Sequence, residues 1–176
     1  RSRRQRQMCI RDSYGPDSTL HLAVQGATYA FLGPLIGSIV RVLWGPLCDK
    51  FGGGLWTFVS GVGMAVTLGV SGFFLMNPQS AADFSGFLWA MLIMFFFAGI
   101  GNAGTFKQMP MIMPKRQAGG AIGFTASVAA LGPFLVGAGL AVIPAAQFFF
   151  GATVYCIFCS VLCWVLYARK NAPFPG

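Results

Sequence analysis

The amino-acid sequence predicts an all-α integral membrane protein, on three observations. Of 176 residues, 56% are hydrophobic and only 9% charged, whereas a soluble domain carries roughly a quarter of its residues charged. The apolar residues gather into long blocks, each near the roughly 20 residues that a helix needs to cross a bilayer. These blocks are too long and too unalternating for barrel strands. Only helices and closed barrels satisfy every backbone polar group in lipid, so helices remain.

Five spanning segments follow in order. Segment A covers Leu22–Leu47, B Leu55–Met76, C Phe87–Met113, D Gly119–Ile143 and E Phe148–Ala168. Chain breakers and charges punctuate the junctions: Asp49-Lys50 and Gly52-Gly53-Gly54, then Asn77-Pro78, then Pro114-Lys115-Arg116, then Pro144. Small residues recur inside the blocks. Gly33 and Gly37 in A, Gly99, Gly101 and Gly104 in C, and Gly119 and Gly123 in D let neighbouring backbones approach. The same glycines, with nearby prolines, also suit helices that bend or slide.

Charge sets the orientation. The net charge of +8 raises nucleic acid as a partner, but the distribution argues against it. Lys50, Lys115, Arg116, Arg169 and Lys170 lie at the A–B junction, the C–D junction and the C-terminus, and the opposite loops carry neither Lys nor Arg. Basic residues mark the cytoplasmic side, which puts these junctions and the C-terminus in the cytoplasm, in a cell inner (plasma) membrane. The chain start then falls outside, in conflict with Arg1, Arg3, Arg4, Arg6 and Arg11. The opening RSRRQRQMCIRDS has no apolar core and so is not a signal peptide. Residues 1–13 resemble a translated sequencing adapter and are read as a non-native leader, the alternative being a basic cytoplasmic tail. Five helices starting outside suggest at least one further helix before Tyr14, and a C-terminal fragment.

The buried charges carry the functional reading. Arg41 lies eight residues before Asp49, about 12 Å from the cytoplasmic end of its helix and close to the midplane of a core about 30 Å thick. A guanidinium there costs at least about 2.5–3.5 kcal/mol on insertion scales. Either a transported anion or a carboxylate elsewhere in the protein offsets that cost, since none of the five segments contains Asp or Glu. The planar fork of arginine donors suits trigonal oxyanions such as nitrate, nitrite, formate and small carboxylates. Lys107 stands at a similar depth, eight residues before Lys115. It either joins Arg41 in one electropositive centre, where it could couple protons to transport, or snorkels to the cytoplasmic face. Asn102 and Phe106, four residues apart, share a helix face and would shape a site for a small flat anion.

Other chemistry finds no support. Cys156, Cys159 and Cys163 share one helical face, but no His or carboxylate joins them, so they read as packing residues and no metal or cofactor is expected. Haem anchoring would need paired histidines, and the one histidine is His21. No constellation suggests an enzyme.

Three stretches resemble a known family. Gly45-Pro-Leu-Cys-Asp49-Lys50-Phe-Gly52-Gly53 looks like the cytoplasmic loop motif of the major facilitator superfamily. With Gly33-Pro-Leu-Ile-Gly37-Ser-Ile-Val-Arg41 before it, it resembles the nitrate/nitrite porter family in particular. Ala98–Pro110 and Ala121–Gly132 strengthen the likeness, the latter falling where the family has its second glycine-rich signature. The resemblance covers about residues 15–170. It implies a transporter of two six-helix halves, with segments A–E as helices eight to twelve and residues 14–176 as the C-terminal transmembrane half. It also implies substrate binding by Arg41 and Phe106 and signature roles for Gly123 and Gly132. Ala129 and Pro133 stand where the family has glycines, which bears on the mobility of segment D. The family's second arginine is expected in the other half, so the chain alone is not expected to transport. The leading expectation is alternating-access transport of nitrate or nitrite, by proton symport or by antiport. A porter for formate, oxalate or another small anion is the alternative, and a non-transporting membrane subunit is a remote one.

Overall fold

A computed structural model describes residue 29, residues 31–76 and residues 81–169, with the backbone alone at 81–84 and 115. The leader, Cys9, His21 and residues 22–28 of segment A lie outside the described residues. The elements are α1 (Leu32–Phe51), α2 (Gly53–Met76), α3 (Ala81–Ile112), α4 (Lys115–Ala130), α5 (Gly132–Val142) and α6 (Ala145–Cys163). A π-helical turn, Trp164–Ala168, follows. No strand occurs among the described residues.

Four stretches are long and apolar enough to cross a membrane: Gly53–Met76, Ser85–Ile112, Arg116–Val142 and Ala145–Ala168. They correspond to segments B to E, and the all-α membrane fold class holds. α1 is not among them. It carries Arg41, Asp49 and Lys50 within its 20 residues, and part of segment A precedes the described helix.

Two boundaries differ from the sequence reading. The sequence ends segment A at Leu47, yet α1 continues through Asp49 and Lys50 to Phe51. The cytoplasmic motif is therefore mostly helix, and Gly52 alone separates α1 from α2. Gly52 ends α1 by adopting φ 88° and ψ 139°, with its N–H bonded to the Cys48 carbonyl at 3.0 Å. It is the one positive-φ residue among those described, and a Cβ would be strained there. Segment D, read as one span, is two helices meeting at Leu131. Pro133 cannot donate to the Ala129 carbonyl four residues back, and the Leu131 N–H turns to the Val128 carbonyl at 3.1 Å.

The bundle is organised around α2, which packs along α3 and α6, while α1 packs on α3. Glycines set these approaches. A Cβ added at Gly53 would lie 2.5 Å from the Gly104 carbonyl oxygen, and one at Gly99 would lie 2.6 Å from that of Gly37. Gly33 and Gly63 lie against the Phe95 and Phe97 rings. Hydroxyls inside the apolar helices are satisfied locally: Thr57, Thr67, Ser71, Thr105, Thr153 and Ser160 each donate to the carbonyl four residues back. Ser60 is the exception and holds two helices together. It is fully buried and donates to the Phe97 carbonyl of α3 at 2.7 Å. α4 and α5 pack little, and nothing in the most apolar stretch of that span is buried. Large apolar side chains such as Phe124, Phe134 and Val142 point outward, as expected where hydrocarbon is the solvent.

Candidate functional site

The site is built from α1 and α3. Arg41 sits midway along α1, and its guanidinium carbon lies 4.7 Å from the centroid of the Phe106 ring on α3. A cation over an aromatic face is attracted by the ring quadrupole, by about 0.5–2 kcal/mol depending on desolvation. The approach depends on the close packing of α1 on α3 at Gly37 and Gly99. Among the described residues no carboxylate pairs with Arg41, and its side chain is exposed on the flank of the bundle. Among the described residues nothing occupies its donors, which could take two oxygens of a planar anion lying beside the ring.

Asn102 and Phe106 both line a cleft of about 330 Å³ among α2, α3, α4 and α6, as their spacing on one helix face requires. Arg41 does not line it, and Phe106 both borders the cleft and meets the guanidinium. Pro110 deepens the local irregularity. It interrupts α3 and leaves the Phe106 carbonyl without its ordinary helical donor. The sequence does not single out Thr105 or Thr125, which line the same cleft, and it marks Cys159, also in the lining, only as a packing residue. The clue was available for Thr105, three residues from Asn102 and on the same side of α3.

Lys107 goes elsewhere. Its Nζ donates to Asp49 Oδ2 at 2.8 Å, with the two side chains 44% and 53% exposed. The sequence puts Asp49 in a loop, whereas it is a residue of α1, so the helices do contain an acid. Of the two alternatives for Lys107, the contact favours snorkelling, with the side chain extended toward the Asp49 end of α1 and paired there. The physical reason is reach: a four-carbon stem carries the ammonium away from the depth of its own backbone.

The remaining motif residues divide clearly. In the loop motif, Gly45 has open space around it, Lys50 lies 5.5 Å from the Phe51 ring centroid, Asp49 takes Lys107 and Gly52 makes the turn. Of the glycines singled out, Gly99 packs on α1 and Gly101 on Ser60 of α2, while Gly123 and Gly132 face open space. Cys156, Cys159 and Cys163 are free thiols. Cys163 Sγ lies 3.6 Å from the Gly54 carbonyl oxygen, where α6 meets the start of α2.

These features define a class, a multi-pass α-helical membrane protein with an arginine that has no carboxylate partner among the described residues and is set against an aromatic ring. Its relatives are more particular. The chain is 46% identical over 173 residues to a Thermus thermophilus protein named "Probable nitrate/nitrite antiporter NarK2", a match covering 96% of this chain and 38% of that protein. It is 29% identical to the nitrate/nitrite transporter NarU of Salmonella typhimurium and 26% identical to NarU of Escherichia coli. Each of those matches covers 81% of this chain and 36% of the relative. No protein-family model matches, and no solved structure does. Over most of its length the chain is homologous to nitrate/nitrite transporters, and the porter family that its motifs resemble is the family of these relatives. They are named as transporters, not as enzymes. The chain spans well under half the length of each relative.

Proposed function

We propose that this chain is part of a transporter that carries nitrate or nitrite across a membrane by alternating access, with Arg41 as the anion-binding cation. The observation that carries the reading is the Arg41 guanidinium, unpaired among the described residues and 4.7 Å from the Phe106 ring centroid. A trigonal anion seated there accepts two parallel hydrogen bonds from the guanidinium, and its flat face rests on apolar or aromatic surface. Phe106 lies against the guanidinium, and Asn102, one turn along α3, offers an amide donor at the cleft wall. The basic junctions support a cytoplasmic C-terminus. The length of the relatives supports a second half, outside this sequence, that completes the site.

Nitrate–nitrite exchange is the preferred mode. The pairing of Lys107 with Asp49 supports a structural role for this lysine over proton coupling. The NarK2 relative is also named as an antiporter.

The test is nitrate uptake into vesicles by the full-length protein. Arg41→Ala is expected to abolish uptake. Arg41→Lys keeps the charge without the fork and is expected to leave it severely reduced. Wild-type uptake by Arg41→Ala would overturn the assignment. Competition by formate or oxalate equal to that by nitrate would favour the wider anion class.

A further inference from the structure

We propose that Thr125 is a further contact residue for the transported anion, acting with Asn102 in the cleft that Phe106 borders, and that the ligand it favours is a small, weakly hydrated, monovalent oxyanion. The inference rests on the anion reading of Arg41 and adds to it a residue of α4.

Thr125 differs from the hydroxyl residues around it. A Ser or Thr inside a helix ordinarily donates to the carbonyl four residues back, and Ser127 of the same helix does so, to Gly123 at 2.9 Å. Thr125 makes no hydrogen bond among the described residues. Nor is it turned outward. It is half-buried, while Gly123, Phe124, Ala126 and Ser127 on either side are exposed. It lines the cleft together with Ala129, one turn further along α4. Asn102 of α3 lines the same cleft and also makes no hydrogen bond among the described residues. A polar group left unpaired in apolar surroundings costs free energy. Two of them around one cleft, one from each of two helices, point to a ligand that engages both.

The protons on offer select its charge. The other hydroxyls of the cleft have committed theirs: Thr57 to Gly53 at 2.9 Å, Ser60 to Phe97 at 2.7 Å, Thr105 to Gly101 at 2.8 Å and Ser160 to Cys156 at 2.7 Å. The amide of Asn102 and the hydroxyl of Thr125 remain as donors. Their oxygens could instead serve a cation, but the Arg41 guanidinium lies 4.7 Å from the centroid of the Phe106 ring, and that ring borders the cleft. Its charge repels a cation there and attracts an anion, more strongly in an apolar environment than in water. No carboxylate lines the cleft to oppose an anion. Hydration narrows the class further. A few neutral donors replace only part of a hydration shell, so an ion that holds its water tightly, such as sulfate or phosphate, loses more on entry than nitrate or nitrite.

The experiment measures nitrate uptake in vesicles and nitrate binding in detergent, with the full-length protein and its Thr125→Val, Thr125→Ser, Ser127→Ala and Arg41→Ala variants. Thr125→Val keeps the shape and removes the hydroxyl. It is expected to raise KM and Kd for nitrate about tenfold, as for a lost hydrogen bond to a charged group. The melting temperature should not fall, since the hydroxyl bonds no described part of the fold. Thr125→Ser is expected to restore most of the affinity, and Ser127→Ala to leave it unchanged. The proposal is overturned if Thr125→Val binds nitrate as wild type does, if Thr125→Ser restores nothing, or if Ser127→Ala weakens nitrate equally. A loss of affinity accompanied by a lower melting temperature would also overturn it, by making the role structural, and sulfate competing as well as nitrate would overturn the ligand class. If Arg41→Ala abolishes binding while Thr125→Val leaves it intact, this inference alone fails. If Arg41→Ala leaves uptake intact, the anion reading fails and this inference with it.

Discussion

Removing the Lys107–Asp49 pair separates a structural lysine from a substrate-binding one. The pair joins α3 to the end of α1 at 2.8 Å, with 44% and 53% of the two side chains exposed. At that exposure the Coulomb energy is heavily screened, and such pairs contribute about 0.2–1 kcal/mol. The coupling energy in a double-mutant cycle of Lys107→Met and Asp49→Asn is therefore expected at about 0.5–1 kcal/mol. That is roughly a two- to fivefold change in the folding equilibrium. The assays are thermal unfolding of the full-length protein in detergent and nitrate uptake for all four members of the cycle. If Lys107 serves the helix pair, the double variant is no less stable than the worse single variant, and the KM for nitrate changes little in any of them. A tenfold or greater rise in KM in Lys107→Met with Asp49→Asn silent would refute the structural assignment and return Lys107 to the anion site.

Two further outcomes follow from the packing. Gly99→Ala sets a Cβ 2.6 Å from the backbone oxygen of Gly37, which overpacks the α1–α3 contact by about 1–3 kcal/mol. The gain in helix preference returns at most about 1 kcal/mol, so a lowered melting temperature is expected, and an unchanged one would contradict the close approach. Ser60→Ala deletes the hydrogen bond between α2 and α3, at an expected cost of about 0.5–1.5 kcal/mol. Thr67→Ala deletes only a bond within its own helix and should cost less, as unfolding of the two variants side by side would show.

The spans were legible because hydrocarbon makes one simple demand, a continuous apolar helix about as long as the bilayer is thick. Segments B to E meet it and recur in the structure. The relation of Asn102 to Phe106 was legible for a similar reason, since a spacing of four on a helix fixes a shared face. The break in segment D was partly legible in Pro133, which removes one hydrogen bond wherever it sits. The end of α1 was not. Asp49 and Lys50 look like loop residues by charge, but the helix continues until Gly52 adopts a backbone conformation that other residues resist.

By itself, then, the sequence determined the class of protein and spans B to E, and it singled out Arg41 as a candidate. Those depend on composition and local periodicity, which a single helix carries with it. The tertiary structure decided which groups meet. It set Arg41 against Phe106, gave Lys107 to Asp49 across 58 positions of chain, and linked Ser60 to Phe97. It also divided the glycines between tight helix crossings and open faces. None of these is local. Each depends on how closely two helices approach and on where a long side chain reaches from its backbone, and only the packed bundle fixes either.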